Sequence, residues 1–82
     1  MSMPLRKPLT RARRRALKVL ASAPEGHTEA MMRAQGFAAE FLAHLVKDGL
    51  VHERVESVMM SNRTVEVTRM QLTELGRRSL GR

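Results

Sequence analysis

The chain contains no cysteine, tryptophan or tyrosine, and its only aromatic residues are Phe37 and Phe41. Without cysteine there is no disulfide, no thiolate nucleophile and no cysteine-based zinc site. With two rings in 82 residues, the seven methionines are expected to fill core space that aromatics usually take. Methionine fills gaps adaptably but specifies a core loosely. No apolar run approaches the roughly 20 residues that a membrane helix needs. The basic N-terminus is not followed by an apolar segment of the secretory kind. These absences leave a soluble, cytoplasmic protein as the expectation.

The chain length of 82 residues allows one domain and one modest core. A hydrophobic content of 43% is globular rather than disordered. Net charge is +7, and its distribution matters more than its size. Residues 1–18 hold Arg6, Lys7, Arg11, Arg13, Arg14, Arg15 and Lys18 and no acid. The remaining residues carry eight bases against all eight acids, so they are formally neutral. A one-sided basic segment on a neutral domain points to a polyanionic partner, nucleic acid or an anionic membrane. The competing reading is a solvated helix face.

Pro4 and Pro8 make residues 1–9 an expected flexible basic arm, since proline removes a donor and disfavours helix before it. The domain then covers residues 10–82. Thr10 is a suitable N-cap for a helix from about Arg11 to Ser22, ending before Pro24. Ala16, Leu17, Leu20 and Ala23 form its apolar face, while Arg11, Arg14, Arg15 and Lys18 recur at i, i+3, i+4, i+7 as a cationic stripe. Bases near a helix N-terminus oppose the helix dipole. Broken local rules tend to mark function.

After the Pro24–His27 turn, a residue or two can add a short strand to a later hairpin. Thr28 caps a second helix, about Glu29 to Gln35, with Met31, Met32 and Ala34 as its apolar contacts. Gly36 ends it by taking the left-handed conformation. A third helix is expected over about Phe37 to Asp48. Its inner face holds Ala38, Phe41, Leu42, Leu45 and Val46, with Phe37 at the edge, where core packing is favoured over exposure to a partner. Its outer face holds Glu40, Ala43, His44 and Lys47.

Leu50–Met60 and Thr64–Leu72 are rich in Val, Thr and Met and read as a β-hairpin. A three-residue loop, Met60-Ser61-Asn62, with Asn62 at positive φ would pair Val55 with Val67 and Glu53 with Arg69. A two-residue loop would place Arg54 opposite Arg69, two like charges, and is disfavoured on that ground. Thr73 caps a last helix, about Glu74 to Leu80.

This order resembles a winged helix-turn-helix domain of the multiple-antibiotic-resistance (MarR-type) repressors, an α+β, mostly α fold. The resemblance is carried by Leu42, Leu45, Lys47-Asp48-Gly49-Leu50-Val51, Asn62-Arg63 and Leu72-Thr73-Glu74-Leu75-Gly76-Arg77, and spans about residues 10–80. The chain also resembles short bacterial proteins with T-E-A, A-x-G-F and L-V-x-D-G-L. Here these are Thr28-Glu29-Ala30, Ala34-Gln35-Gly36-Phe37 and Leu45-Val46-Lys47-Asp48-Gly49-Leu50. What the resemblance implies is a duplex-DNA-binding regulator whose third helix enters the major groove while the wing touches flanking DNA. The implied interface comprises Arg6, Lys7, Arg11, Arg14, Arg15 and Lys18 from the arm and first helix. Ala38, Ala39, Glu40, His44 and Lys47 join them from the third helix, and Asn62 and Arg63 from the wing tip.

The chain departs from the repressors in two ways. The start of the third helix holds Phe37, Ala38, Ala39 and Glu40 where Ser, Thr, Arg or Gln is usual. The long dimerisation helices of the repressors are also missing, so a homodimer would use the first helix, the last helix or the sheet edge. His27, His44 and His52 have no ligand-like spacing, so no metal or cofactor is expected. No nucleophile–base set suggests an enzyme. Two further functions stay open, a winged-helix protein-interaction module and RNA association through the basic arm.

Overall fold

Threonine hydroxyls open three of the four helices. In the computed structural model, which describes residues 9–81, Thr10, Thr28 and Thr73 accept from the backbone N–H groups of Arg13, Met31 and Gly76. They begin α1 (Arg11–Ala21), α2 (Glu29–Ala34) and α4 (Glu74–Leu80). Each such cap is worth about 1 kcal/mol. The fourth helix, α3 (Ala39–Lys47), starts at Ala38, which offers no capping side chain. Its first-turn N–H groups are left to solvent or a ligand.

The described residues form an α+β architecture of four helices and a three-stranded antiparallel sheet. The strands are β1 (His27–Thr28), β2 (Val51–Met60) and β3 (Arg63–Leu72), in spatial order β1-β3-β2. β1 pairs His27 with Met70 and Thr28 with Arg69, the short added strand expected from the sequence.

The core collects Ala16, Leu17 and Leu20 from α1, Met32 from α2, and Leu42 and Leu45 from α3. Phe37, Leu50, Val51 and Met70 complete it. Leu9, the last residue of the expected arm, is half-buried and packs against this cluster. Ala23 is only half-buried, and of the expected α2 contacts Met32 alone is buried, with Met31 and Ala34 exposed. Among the described residues the core uses two methionines, Met32 and Met70, while Met31, Met59 and Met60 are exposed. Methionine therefore replaces rings less than composition suggests.

Two glycines set how the helices sit. Gly36 has φ +101°, which turns the chain between α2 and α3. Gly76 lets α4 lie on the backbone at Leu50, where an added Cβ would sit 2.2 Å from the Leu50 carbonyl oxygen. Thr73 fixes the same junction, its hydroxyl donating to the Gly49 carbonyl at 2.6 Å and its N–H to that of Leu50 at 3.1 Å.

Three expectations about α3 and the hairpin are corrected. The helix begins at Ala39, so Phe37 and Ala38 precede it. Phe37 is therefore not placed by helical periodicity. It sits just before the N-cap, where an apolar residue folds back onto the first turns. Phe37 is buried, in line with its expected core packing, whereas Phe41 is only half-buried and Ala38 is exposed, which corrects their places on the expected inner face.

The hairpin loop is the two-residue turn Ser61-Asn62, with Met60 opposite Arg63. The register places Val55 opposite Thr68, Glu53 opposite Met70 and Arg54 opposite Arg69. Ser61 takes the positive φ (55°), as in a turn whose first central residue is left-handed, and Asn62 does not. The like-charged pair is tolerated because Glu56 lies between its members on the same face. Its carboxylate accepts from Arg54 at 2.9 Å and, diagonally across the strands, from Arg69 at 3.0 Å. Those bonds, Arg69 first, hold the Glu56 carboxyl below its ordinary value of 4.5.

Candidate nucleic-acid interface

On α1, charge and burial separate by helical position except at Arg13. The residues Ala16, Leu17 and Leu20 point inward, and the helix carries Arg11, Arg13, Arg14, Arg15 and Lys18 with no acid. Arg13 shares the inward face, and its guanidinium pairs with Asp48, the C-cap of α3. It braces α1 against α3 and is taken out of the cationic face. Arg11, Arg15 and Lys18 are exposed and Arg14 half-buried, so the stripe expected from the sequence lies opposite the core.

Arg15 connects that stripe to α3. Its guanidinium lies 4.3 Å from the centroid of the Phe37 ring, within cation–π range. The Phe37 ring stacks on Phe41, with centroids 5.8 Å apart and planes inclined by 13°. Arg15, Phe37 and Phe41 thus form one pile that ends at the first turn of α3. Ala38, Ala39 and Glu40 sit beside it, all exposed.

A shallow open depression adjoins the pile, lined by Ala30, Arg33 and Ala34 of α2 and by residues 36–39. Arg33 gives it a cation. The sequence offered a faint signal for this residue, a base in the last turn of α2 three positions before Gly36. The depression borders the start of α3, where Ala38 leaves backbone donors uncapped.

The expected interface residues therefore fall into separate groups. Arg11, Arg14, Arg15 and Lys18 share the outer face of α1, and Arg15 brings that face to Ala38, Ala39 and Glu40. His44 and Lys47 are exposed further along α3, in its last turn. Arg6 and Lys7 lie outside the described residues. Asn62 and Arg63 are exposed at the tip of the hairpin. At about 3.3 Å per residue, the tip stands on the order of 30 Å from Val51, where β2 enters the core. The elongated outline, 58 × 22 × 21 Å, fits a hairpin projecting from a small helical body.

Chemically, the α1 face offers point charges and guanidinium forks suited to phosphate oxygens. The start of α3 offers little for base edges: alanine methyls that can meet a thymine methyl, and one carboxylate that can accept from cytosine N4. Among the described residues no group of three metal-ligating side chains gathers in one place, and no helix is long and apolar enough to cross a membrane. No protein-family model, curated protein or solved structure matches the chain.

Proposed function

We propose that the protein is a small winged-helix DNA-binding protein that acts in transcriptional regulation, gripping duplex DNA mainly through phosphates. The element order α1-β1-α2-α3-β2-β3-α4, with the hairpin between α3 and α4, supports the winged-helix assignment. The observation that carries the DNA reading is the Arg15–Phe37 contact, because it makes the acid-free face of α1 continuous with the start of α3. In this reading Arg11, Arg14, Arg15 and Lys18 engage the backbone, with Arg33 beside them. Ala38, Ala39, Glu40, His44 and Lys47 face the groove, and Asn62 and Arg63 touch flanking DNA. Sequence preference is weak, because the groove-facing side chains supply few donors.

The test is binding to mixed-sequence duplex DNA, single-stranded DNA and RNA as a function of salt. Four stripe cations predict that log K falls with log[salt] at a slope of about −3.6 on duplex. Duplex affinity that survives charge reversal of Arg11, Arg14 and Lys18 would overturn the proposal. A second function, a winged-helix protein-interaction module, is favoured by the exposed Val55, Met59 and Met60 of the hairpin. It wins if nucleic acids bind without salt dependence or not at all.

A further inference from the structure

The outer edge of β2 is open: among the described residues β2 pairs with β3 alone, through ten uninterrupted residues from Val51 to Met60. Exposed strand edges are usually blunted by lysine, proline, a bulge or a covering element. This one has no lysine or proline, its ladder runs without a bulge, and the charges it does carry, Glu53, Arg54 and Glu56, are of mixed sign and can pair with those of another strand. It is also where apolar surface accumulates. Of the five exposed large apolar side chains among the described residues, three lie on β2: Val55 at 62%, Met59 at 70% and Met60 at 54% exposure.

An edge of this kind accepts another strand, and the charges on β2 say which. Two copies related by a two-fold axis pair antiparallel, with directly opposite residues on the same face. The axis must then pass through a residue, and each choice of residue fixes the charge pairs. An axis at Glu53, Arg54 or Glu56 sets that residue against its own copy, like against like. An axis at Val55 sets Arg54 against Glu56 of the other copy, twice. The same register pairs Val55 with Val55 and sets Met59 beside Val51, at the margin of the other copy's core. β3 offers no such match. Glu66 points to the opposite face from Arg63 and Arg69, so no two-fold register pairs them.

We propose that two copies of this chain join edge to edge through antiparallel β2 strands, with the two-fold axis at Val55. Nine residues from each copy, 51–59, align, and the two sheets become one. Arg54 exchanges its partner Glu56 on its own strand for Glu56 of the other copy, while Arg69 keeps its bond to the Glu56 beside it. This surface is separate from the α1 face and does not rest on DNA binding. It engages the hairpin and leaves α1 outside the joint.

Sedimentation of the full chain over a wide concentration range, without nucleic acid, gives the first readout, and a monomer–dimer equilibrium is expected. Arg54→Glu alone places two carboxylates opposite each other, and Glu56→Arg alone two guanidinium groups. Each is expected to weaken self-association on the order of tenfold or more. Mixed together, the two variants restore both opposite-charge pairs and are expected to form a heterodimer. A second measurement covers the case in which Glu56→Arg does not fold. The chain has no cysteine, so Val55→Cys should oxidise to a 55–55 disulfide, since directly opposite Cα atoms lie about 4.5–5.5 Å apart. Glu53→Cys and Ser57→Cys should cross-link with each other and not with themselves. The proposal fails if the wild type sediments as a monomer throughout. It also fails if both charge variants self-associate like the wild type, if the folded variants do not combine, or if Glu53→Cys and Ser57→Cys do not cross-link.

Discussion

The guanidinium of Arg15 lies over the ring of Phe37, joining the solvent face of α1 to the residue that precedes the N-cap of α3. Such a contact is worth about 0.5–1 kcal/mol at an exposed site. In a double-mutant cycle of Arg15→Ala and Phe37→Leu, read by urea unfolding, a coupling of about that size is expected. Leucine keeps the buried apolar volume while removing the ring face. Strict additivity of the two substitutions would mean that the contact carries no energy, and the link between α1 and α3 would lose its support.

The proposed phosphate contacts can be counted. Neutralising Arg11, Arg14 and Lys18 to glutamine should make the salt slope of duplex binding shallower by about 2.7, roughly 0.9 for each charge. Arg78→Gln serves as the control, because Arg78 lies on α4 and faces Glu74 one helical turn away. Anisotropy titrations at several salt concentrations give both slopes. A loss of about 0.9 from Arg78→Gln, the same per charge as from the α1 triple, would show that net charge, and not the α1 face, drives binding.

Much of the scaffold was legible in the sequence, because its signals are local. Thr10, Thr28 and Thr73 announce their helices by capping chemistry, and Gly36 marks the break between α2 and α3. The misses came where tertiary contacts override periodicity. Core packing of Phe37 is legible, but a helix extrapolated back to Phe37 gives neither its place ahead of the N-cap nor its contact with Arg15. The hairpin register was judged from directly opposite charges, and the diagonal Glu56 decided it instead. The α1 stripe is legible in spacing, which also leaves Arg13 out of it, but spacing does not say what Arg13 does instead. Only the fold shows Arg13 turned inward to Asp48.

Glu56 should give hairpin stability an acid limb. Its carboxyl is held below 4.5 in the folded chain by the Arg69 and Arg54 bonds. A carboxylate with a lowered folded value stabilises the fold above the unfolded value, and that stabilisation is lost as pH falls through the folded value. The contribution is therefore intact at neutral pH and drains away below about 4.5. In urea midpoints measured against pH, Glu56→Gln should be less stable than wild type at pH 7. The two curves should converge as the pH is lowered. A gap that stays constant down the acid range would mean that the loss is one of packing and not of charge.

Gly76 and Gly36 separate close approach from backbone conformation. At Gly36 a Cβ meets nothing within 4 Å, but φ is +101°, so Gly36→Ala should cost only conformational strain, about 1–2 kcal/mol. At Gly76 the backbone is helical, and alanine gains about 1 kcal/mol of helix propensity. Against that gain, its Cβ would lie 2.2 Å from the Leu50 carbonyl oxygen and 2.9 Å from a Leu72 methyl carbon. Backbone cannot swing aside as a side chain can, so α4 must lift from the α3–β2 junction. The Thr73 bonds to Gly49 and Leu50 would be strained along with it. Overpacking of this kind costs about 1–3 kcal/mol and sometimes more. Both variants are therefore expected to melt below the wild type, Gly36→Ala from strain and Gly76→Ala from the clash with Leu50. A Gly76→Ala chain that melts at or above the wild type would show that α4 is not seated on Leu50.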